Sequence, residues 1–358
     1  MKLPQEFDEH PKMSMSVVRM IIGVTCFISL IMVMVVALNR QDTGSGNNRP
    51  IPPVVDSTTK EDTPSYVNST LTPDDLDFWD LYPEATQEEL PEESSGSGEV
   101  VEDPATDGKH TLITTADGKE EWVLISPYLP KNEYDYTRLV CQSNLMKYYM
   151  DGKQVSYVGV DLSKYNDYVD FIKLKKAGVD FVMVRVGVRG YGTGQIMLDD
   201  YFYENIKRAS DAGLQIGLYF SSQAISKEEA REEANLVLES IGDYKVSYPI
   251  AFDMEFVAND TARIEILTRT EKTDIAKEFL ETIEAAGYTP MLYGNKEWLI
   301  RQVDLSKLSG YDVWLSQPGD IPDYPYWFSM WQYSTSTSID GIAGYANMNI
   351  SFIDYSEK

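Results

Sequence analysis

The sequence predicts an α/β fold, in the form of a modified β/α (TIM-like) barrel with eight strands and about five helices. Three observations predict it. Strand-like and helix-like segments alternate from about residue 154 onward, eight apolar strand candidates occur there, and after Tyr311 the strands follow one another without room for full helices. A doubly wound sheet is the alternative, but it would also need helices between its last strands.

The predicted strands are short apolar runs. In chain order they read SYVGVDLS, FVMVRVGV, QIGLYFSS, PIAFDMEF, TPMLYGN, YDVWLSQ, WFSMWQYS and NMNISFID. Helical segments fill the first gaps between them. These segments are residues 169–177, 200–212, 227–241 and 270–286, with a short helix at 296–303.

The overall composition excludes several functional classes. The 358 residues include 31 Lys and Arg against 57 Asp and Glu, a net charge of -26, so we expect no binding to nucleic acid. The 2 Cys cannot form a disulfide framework or a Cys-rich zinc site. Both His, His10 and His110, precede the predicted barrel, so neither a His-dependent triad nor an HExxH metal helix is expected within it. We predict no metal and no cofactor.

The most apolar part of the chain before the barrel is the run at residues 17–38, whose one charged residue is Arg19. About 20 apolar residues span the roughly 30 Å core of a bilayer, and the run is longer than the core of a signal peptide. We therefore expect a transmembrane helix and treat a cleaved signal peptide as the alternative. More basic residues precede the run than closely follow it, so residues 1–16 are predicted to be a cytoplasmic tail. The predicted localisation is the cell membrane, with a single-pass topology and an extracellular C-terminal domain.

Two further segments connect this helix to the barrel. Residues 39–106 are rich in Pro, Ser, Thr and acid, which predicts a disordered, extended, acidic linker. An inert spacer is the preferred interpretation, and an aromatic cluster at residues 78–82 is an alternative docking site for a partner. Residues 107–153 contain Asp-Gly at positions 107, 117 and 151, which predicts a small β-hairpin region leading into the barrel at residues 154–358.

The fourth predicted strand ends in two carboxylates. Asp253 and Glu255 are two residues apart, so both side chains project to one face of the strand. Catalytic residues of such barrels lie at the carboxyl ends of the strands. A carboxyl that is held protonated beside one that stays ionised suits cleavage of a glycosidic bond, and mutual repulsion raises one pKa. A solvated strand end is the alternative, but the apolar flanking residues favour catalysis.

Other candidate residues end the neighbouring predicted strands. Asp161 closes the first strand, where capping of a helix is the alternative role, and Arg185 in the second strand is suited to pair with an inward carboxylate. Aromatic rings at strand ends can stack on sugars, although core packing is their default. The remaining candidates are Tyr219, Tyr293, Trp314, Trp331 and Gln332. The glycine-rich run at 187–194 lacks the spacing of a phosphate-binding loop and is predicted to flank the cleft.

Several motifs follow one another between Gly159 and Phe352. They read GVDLSKYN, RVGVRGYGTG, YFSSQA, PIAFDME, YTPMLYGN, the strand of Trp314, and WQYS followed by GIAGYANMN. In this order they resemble glycoside hydrolase family 25, the N-acetylmuramidase lysozymes. The resemblance implies a modified β/α barrel with five helices. It also implies hydrolysis of the β-1,4 bond between N-acetylmuramic acid and N-acetylglucosamine in bacterial peptidoglycan.

The resemblance also implies roles for individual residues. Glu255 resembles the general acid of the family. Asp253 resembles its charged partner, which orients either an acetamido group or a water molecule. Asp161 resembles the first-strand acid of the cleft. The family usually carries Asp in the last strand, where this chain has Asn347. Asn cannot ionise, so we expect a shifted pH optimum more than a loss of activity.

Three hypotheses follow for the whole chain. The first is a membrane-anchored muramidase that acts on cell-wall peptidoglycan, with a membrane or secretion-apparatus protein as a further partner through the linker. The second is a catalytically weak or inactive wall-binding protein, suggested by Asn347. The third is another carboxylate glycosidase, acting on chitin-like or other polymers.

Overall fold

The computed structural model describes residues 103–115, 118–257 and 261–357. The predicted cytoplasmic tail, membrane helix and almost all of the predicted linker lie outside the described residues. Within the described ranges, no helix is both long and apolar enough to cross a membrane.

Two small antiparallel sheets precede the barrel. They consist of β1 (His110–Thr114) with β2 (Glu120–Leu124), and of β3 (Leu139–Gln142), β4 (Leu145–Met150) and β5 (Lys153–Gln154) in that order. The predicted Asp-Gly turn at Asp151 joins β4 to β5, with φ of 51° at Asp151 and 76° at Gly152. The turn between β3 and β4 was not predicted, because Ser143 and Asn144 form it in place of Asp-Gly. At Asp107 there is no hairpin turn, and its carboxylate instead accepts backbone N–H groups of Lys109 and His110.

These sheets share one hydrophobic core with the barrel. Ile113, Val123 and Leu145 belong to the same buried cluster as the barrel residues. The ring of Tyr134 stacks on that of Phe352, with centroids 4.1 Å apart. Since the region is packed into the main core, it is not a separate module.

Eight further strands close into a barrel, as predicted, and one short strand extends it. In chain order the nine are β6 (Tyr157–Leu162), β7 (Phe181–Arg189), β8 (Ile196–Leu198), β9 (Gln215–Ser222), β10 (Ile250–Met254), β11 (Pro290–Asn295), β12 (Asp312–Ser316), β13 (Met330–Thr337) and β14 (Ala346–Ser351). The closed order is β6, β7, β9, β10, β11, β12, β13 and β14, with β14 pairing back to β6. The short β8 was not predicted and pairs with the end of β7 alone.

The last strand reverses direction. Strands β6 to β13 of the barrel pair in parallel, but β14 is antiparallel to both β13 and β6. Its amino end, which carries Asn347, therefore lies at the edge where the other strands have their carboxyl ends. The apolar pattern of a strand does not encode its direction, so this reversal was not predicted.

The helices lie close to their predicted positions. They are α1 (Phe171–Ala177), α2 (Phe202–Ala212), α3 (Lys227–Ile241), α4 (Arg269–Ala285) and the short α5 (Leu305–Leu308). Side chains of Asp170, Ser226 and Thr268 accept backbone N–H groups and so fix the starts of α1, α3 and α4. The predicted short helix at 296–303 is a π-helix (Trp298–Gln302), and α5 after it was not predicted.

The interior of the barrel is filled with packed side chains. Its buried cluster includes Phe181, Met183, Tyr219, Tyr248, Ala251, Met291, Tyr293, Trp314, Met330 and Tyr355. The rings of Phe181 and Tyr248 stack with centroids 4.4 Å apart. A Cβ on Gly159 would lie 2.2 Å from the Phe181 ring, so only glycine leaves room for that ring. This packed interior reaches the carboxyl ends of the parallel strands, where Tyr219, Tyr293 and Trp314 belong to it.

Candidate active site

A cleft of about 240 Å³ opens at the carboxyl ends of the parallel strands. The structure brings nine of the ten candidate residues to it: Asp161, Arg185, Tyr219, Asp253, Glu255, Tyr293, Trp314, Gln332 and Asn347. Ser163, Tyr165 and Ser221 also line the cleft and were not predicted. Trp331 does not line it, because its buried indole donates to the carbonyl of Gln317.

Asp161 lies at the centre of a network of amide side chains. Its Oδ1 accepts a hydrogen bond from Asn347 Nδ2 at 2.8 Å. Its Oδ2 accepts from Gln332 Nε2 at 2.8 Å and from Asn349 Nδ2 at 2.9 Å. Burial raises the pKa of this carboxyl, and the three amide donors act in the opposite direction. Because every one of these contacts is an N–H donor, the network favours the ionised form.

Two aromatic side chains extend this network across the floor of the cleft. The Tyr293 hydroxyl donates to Gln332 Oε1 at 3.2 Å, and Trp314 Nε1 donates to Asn349 Oδ1 at 2.8 Å. The Trp314 ring also lies edge-on to the rings of Tyr219 and Tyr293. At 1% exposure Trp314 has almost no free face, so it supports the floor and offers little surface for a sugar. Stacking of a sugar on Tyr219 or Tyr293 stays a prediction.

Asp253 and Glu255 lie side by side in this cleft but in different surroundings. The Asp253 Oδ2 accepts a hydrogen bond from Ser221 Oγ at 2.9 Å. Burial raises the pKa of Asp253 to about 6, Ser221 and Arg185 act against this shift, and the charge of Asp161 adds to it.

Glu255 is the more strongly perturbed carboxyl. Burial, followed by the charges of Asp253 and Asp161, raises the pKa of Glu255 to about 8. At neutral pH the pair therefore holds one proton, located mainly on Glu255. A protonated carboxyl beside an ionised one is the arrangement that acid-assisted cleavage of a glycosidic bond requires.

Arg185 pairs with a carboxylate that was not predicted. Its Nη2 and Nε lie 2.8 Å and 2.9 Å from Asp199 Oδ2, and the Tyr165 ring lies 5.2 Å from its guanidinium carbon. Asp199 follows β8 and is almost fully buried. The pair leaves Arg185 close enough to Asp253 to lower the pKa of that carboxyl.

No group of three or more His, Cys, Asp or Glu side chains among the described residues is arranged to bind a metal ion.

The unpredicted residues of the site gave no separate signal in the sequence. Ser221 does follow the alternation of β9, which also turns Tyr219 inward.

Comparisons with known proteins give a family and several similar folds. The model of Glycosyl hydrolases family 25 matches residues 160–342. No curated protein sequence matches the chain. Among solved structures, the modular autolysin LytC from Streptococcus pneumoniae, in complex with a synthetic peptidoglycan ligand, is 21% identical with a TM-score of 0.49. That match covers 68% of this chain and 57% of LytC, so the chain spans little more than half of LytC.

Two other solved structures are similar to the chain. The spore cortex lytic enzyme SleM from Clostridium perfringens is 22% identical with a TM-score of 0.48, over 56% of this chain and 69% of SleM. A family 25 glycosyl hydrolase from Bacillus anthracis is 21% identical with a TM-score of 0.48, over 59% of this chain and 94% of that one.

Proposed function

Since the chain belongs to family 25 of the glycosyl hydrolases, we propose that it hydrolyses cell-wall peptidoglycan at the β-1,4 bond between N-acetylmuramic acid and N-acetylglucosamine. One observation carries this proposal: Asp253 and Glu255 line one cleft, where burial and neighbouring charges raise the pKa of Glu255 to about 8, above the value of about 6 for Asp253.

In the proposed reaction, Glu255 donates its proton to the oxygen of the leaving sugar. Asp253 stays ionised beside the positive charge that develops on the sugar ring, and stabilises it. The three amide donors on Asp161 oppose the rise in its pKa that burial causes, and so favour a negative charge at the floor of the cleft. Once Glu255 has lost its proton, it can accept one from the attacking water, which restores the starting state.

The test compares the full-length chain with Glu255→Gln on purified peptidoglycan, with mass spectrometry of the released fragments. Glu239→Gln is the matched control, because Glu239 is an exposed carboxylate on α3. We expect fragments with reducing N-acetylmuramic acid ends from the unmodified chain and the control, and none from Glu255→Gln. Binding to the wall without release of fragments would instead identify a wall-binding protein. Release from chitin oligomers but not from peptidoglycan would identify a different glycosidase.

We further propose that the enzyme is tethered to the cell membrane. The apolar run at residues 17–38 and the acidic linker at residues 39–106 support a catalytic domain held at a limited distance outside the membrane. Limited reach favours local remodelling of the cell's own wall, or assembly of an apparatus that crosses it. Deleting residues 1–38 should move the protein from the membrane fraction to the soluble fraction. Membrane retention of the deleted form would refute the tether.

A further inference from the structure

Glu255 is the first residue after strand β10, so the hydrogen bonds of the sheet do not fix its position. Strand β10 ends at Met254, which pairs with Ser222 of β9, and its pairing with β11 ends at Asp253. The Glu255 carboxyl accepts no hydrogen bond from any side chain of the described residues. Its location therefore depends on how the backbone of Glu255 is held.

Gln223 holds that backbone directly. Its Nε2 donates to the carbonyl oxygen of Glu255 at 2.7 Å. Gln223 directly follows β9, so its side chain continues the connection between β9 and β10 past the end of their backbone pairing. Gln223 is 7% exposed, and its Oε1 has no partner among the described residues. An unpaired buried oxygen costs free energy, so packing and stability alone do not account for an amide here.

The residue after Glu255 is also held. The Phe256 ring lies edge-on to Trp298 with centroids 5.1 Å apart, and Lys272 Nζ lies 5.0 Å from the centre of the Phe256 ring. Loss of the Gln223 contact would therefore release the Glu255 backbone on one side while its neighbour stays fixed. The expected result is a local displacement of Glu255 without unfolding.

We propose that Gln223 is a positioning residue for Glu255, and that its amide holds the half-buried Glu255 carboxyl beside Asp253. This inference rests on the proposed role of Glu255 as the proton donor. The ionisable groups that face the Glu255 carboxyl are Asp253, Asp161 and the phenol of Tyr293. Movement away from the carboxylates and toward water would lower the pKa of Glu255 toward that of an exposed carboxyl.

Three variants of the full-length chain test the proposal. Gln223→Met keeps the length of the side chain but removes the donor. Gln223→Glu can donate to the Glu255 carbonyl when protonated at low pH but not when ionised. Gln215→Met is the matched control, because Gln215 lies at the other end of β9 and accepts from Ser247 Oγ. The Glu255 pKa is measured by carboxyl ¹³C NMR titration, assigned with Glu255→Gln, and kcat and KM are measured on peptidoglycan fragments.

In Gln223→Met we expect the Glu255 pKa to fall by at least about half a unit. We also expect kcat to fall about tenfold to a hundredfold with KM changed less than about twofold, because a misplaced catalytic group slows the chemical step. Gln223→Glu should regain activity relative to the unmodified chain as the pH falls. An unchanged Glu255 pKa in Gln223→Met, or an equal change in Gln215→Met, would overturn the proposal. If the unmodified chain releases no fragments, the proposed function fails, and the NMR titration still decides the role of Gln223.

Discussion

Replacing Asn347 by Asp should make the stability of the protein depend more steeply on pH. Asn347 donates to Asp161 Oδ1 at 2.8 Å, and Asp at this position would place a second carboxylate in the same contact. Two like charges about 4 Å apart repel by about 4 kcal/mol at an effective dielectric constant of about 20. Because Asn347 is half-buried, water screens part of this repulsion, and we expect about 2–3 kcal/mol.

The direction in which the unfolding free energy changes with pH follows from the number of protons that the folded and unfolded states bind. In the unfolded chain the new Asp has its ordinary pKa of about 3.9, and in the folded chain repulsion raises that pKa by about 2 units. Between these two values the folded state binds more protons, so stability falls as the pH rises. The free energy of unfolding of Asn347→Asp, relative to the unmodified chain, should therefore decrease as the pH rises above about 4.

The assay is urea unfolding of both chains at several pH values, with Asn347→Ala as the control. Asn347→Ala loses the donor without adding a charge, so its deficit of about 1–2 kcal/mol should vary much less with pH. Taking differences from the unmodified chain removes the titration that the variants share. If Asn347→Asp and Asn347→Ala lose the same free energy at every pH, the repulsion inferred from the Asp161 contact is wrong.

Three further predictions concern the same cleft and its support. The pH profile of kcat/KM should be bell-shaped, with limbs near about 6 and about 8. Because Ser221 lowers the pKa of Asp253, Ser221→Ala should move the acidic limb to higher pH. The control Ser247→Ala, at the other end of the barrel, should leave both limbs in place. Arg185→Gln should reduce the free energy of unfolding by about 3 kcal/mol in urea titrations, since the buried Asp199 carboxylate loses its ion pair with Arg185 and keeps only backbone N–H donors. Adding Asp199→Asn should recover part of that loss. Gly159→Ala should cost about 2 kcal/mol or more in thermal unfolding, because its Cβ would meet the Phe181 ring, whereas Gly310→Ala, which has no neighbour within 4 Å, should not share this cost.

The sequence predicted best those features that depend on local periodicity. Alternation along PIAFDMEF placed Asp253 and Glu255 on one face, and the structure has both lining the cleft. Helix α3 begins and ends as predicted, because Ser226 caps its start and Gly242 follows its end. These features need information from fewer than about 20 neighbouring residues, which the sequence displays directly.

Features that depend on how the barrel closes were not predicted. The three amides around Asp161 come from β13 and β14, more than 150 positions later in the chain, and two of them reach Asp161 because β14 runs antiparallel. The partner of Arg185 follows the unpredicted strand β8. In each case the residue type was visible in the sequence, but its neighbour was set by strand order and direction.

The difference between local spacing and contacts from neighbouring strands explains why the two carboxyls at the end of β10 have different pKa values. Their spacing is local, and it places Asp253 and Glu255 on the same face. Their pKa values differ because the neighbouring strands treat them differently: β9 supplies Ser221 to the Asp253 carboxylate, and Arg185 of β7 adds a positive charge nearby. Gln223, which directly follows β9, donates to the backbone carbonyl of Glu255, and by our proposal this contact keeps the Glu255 carboxyl beside Asp253. Residues 221–223, at and just beyond the end of β9, thus lower the pKa of Asp253 through Ser221 and, by the proposed role of Gln223, maintain the raised pKa of Glu255.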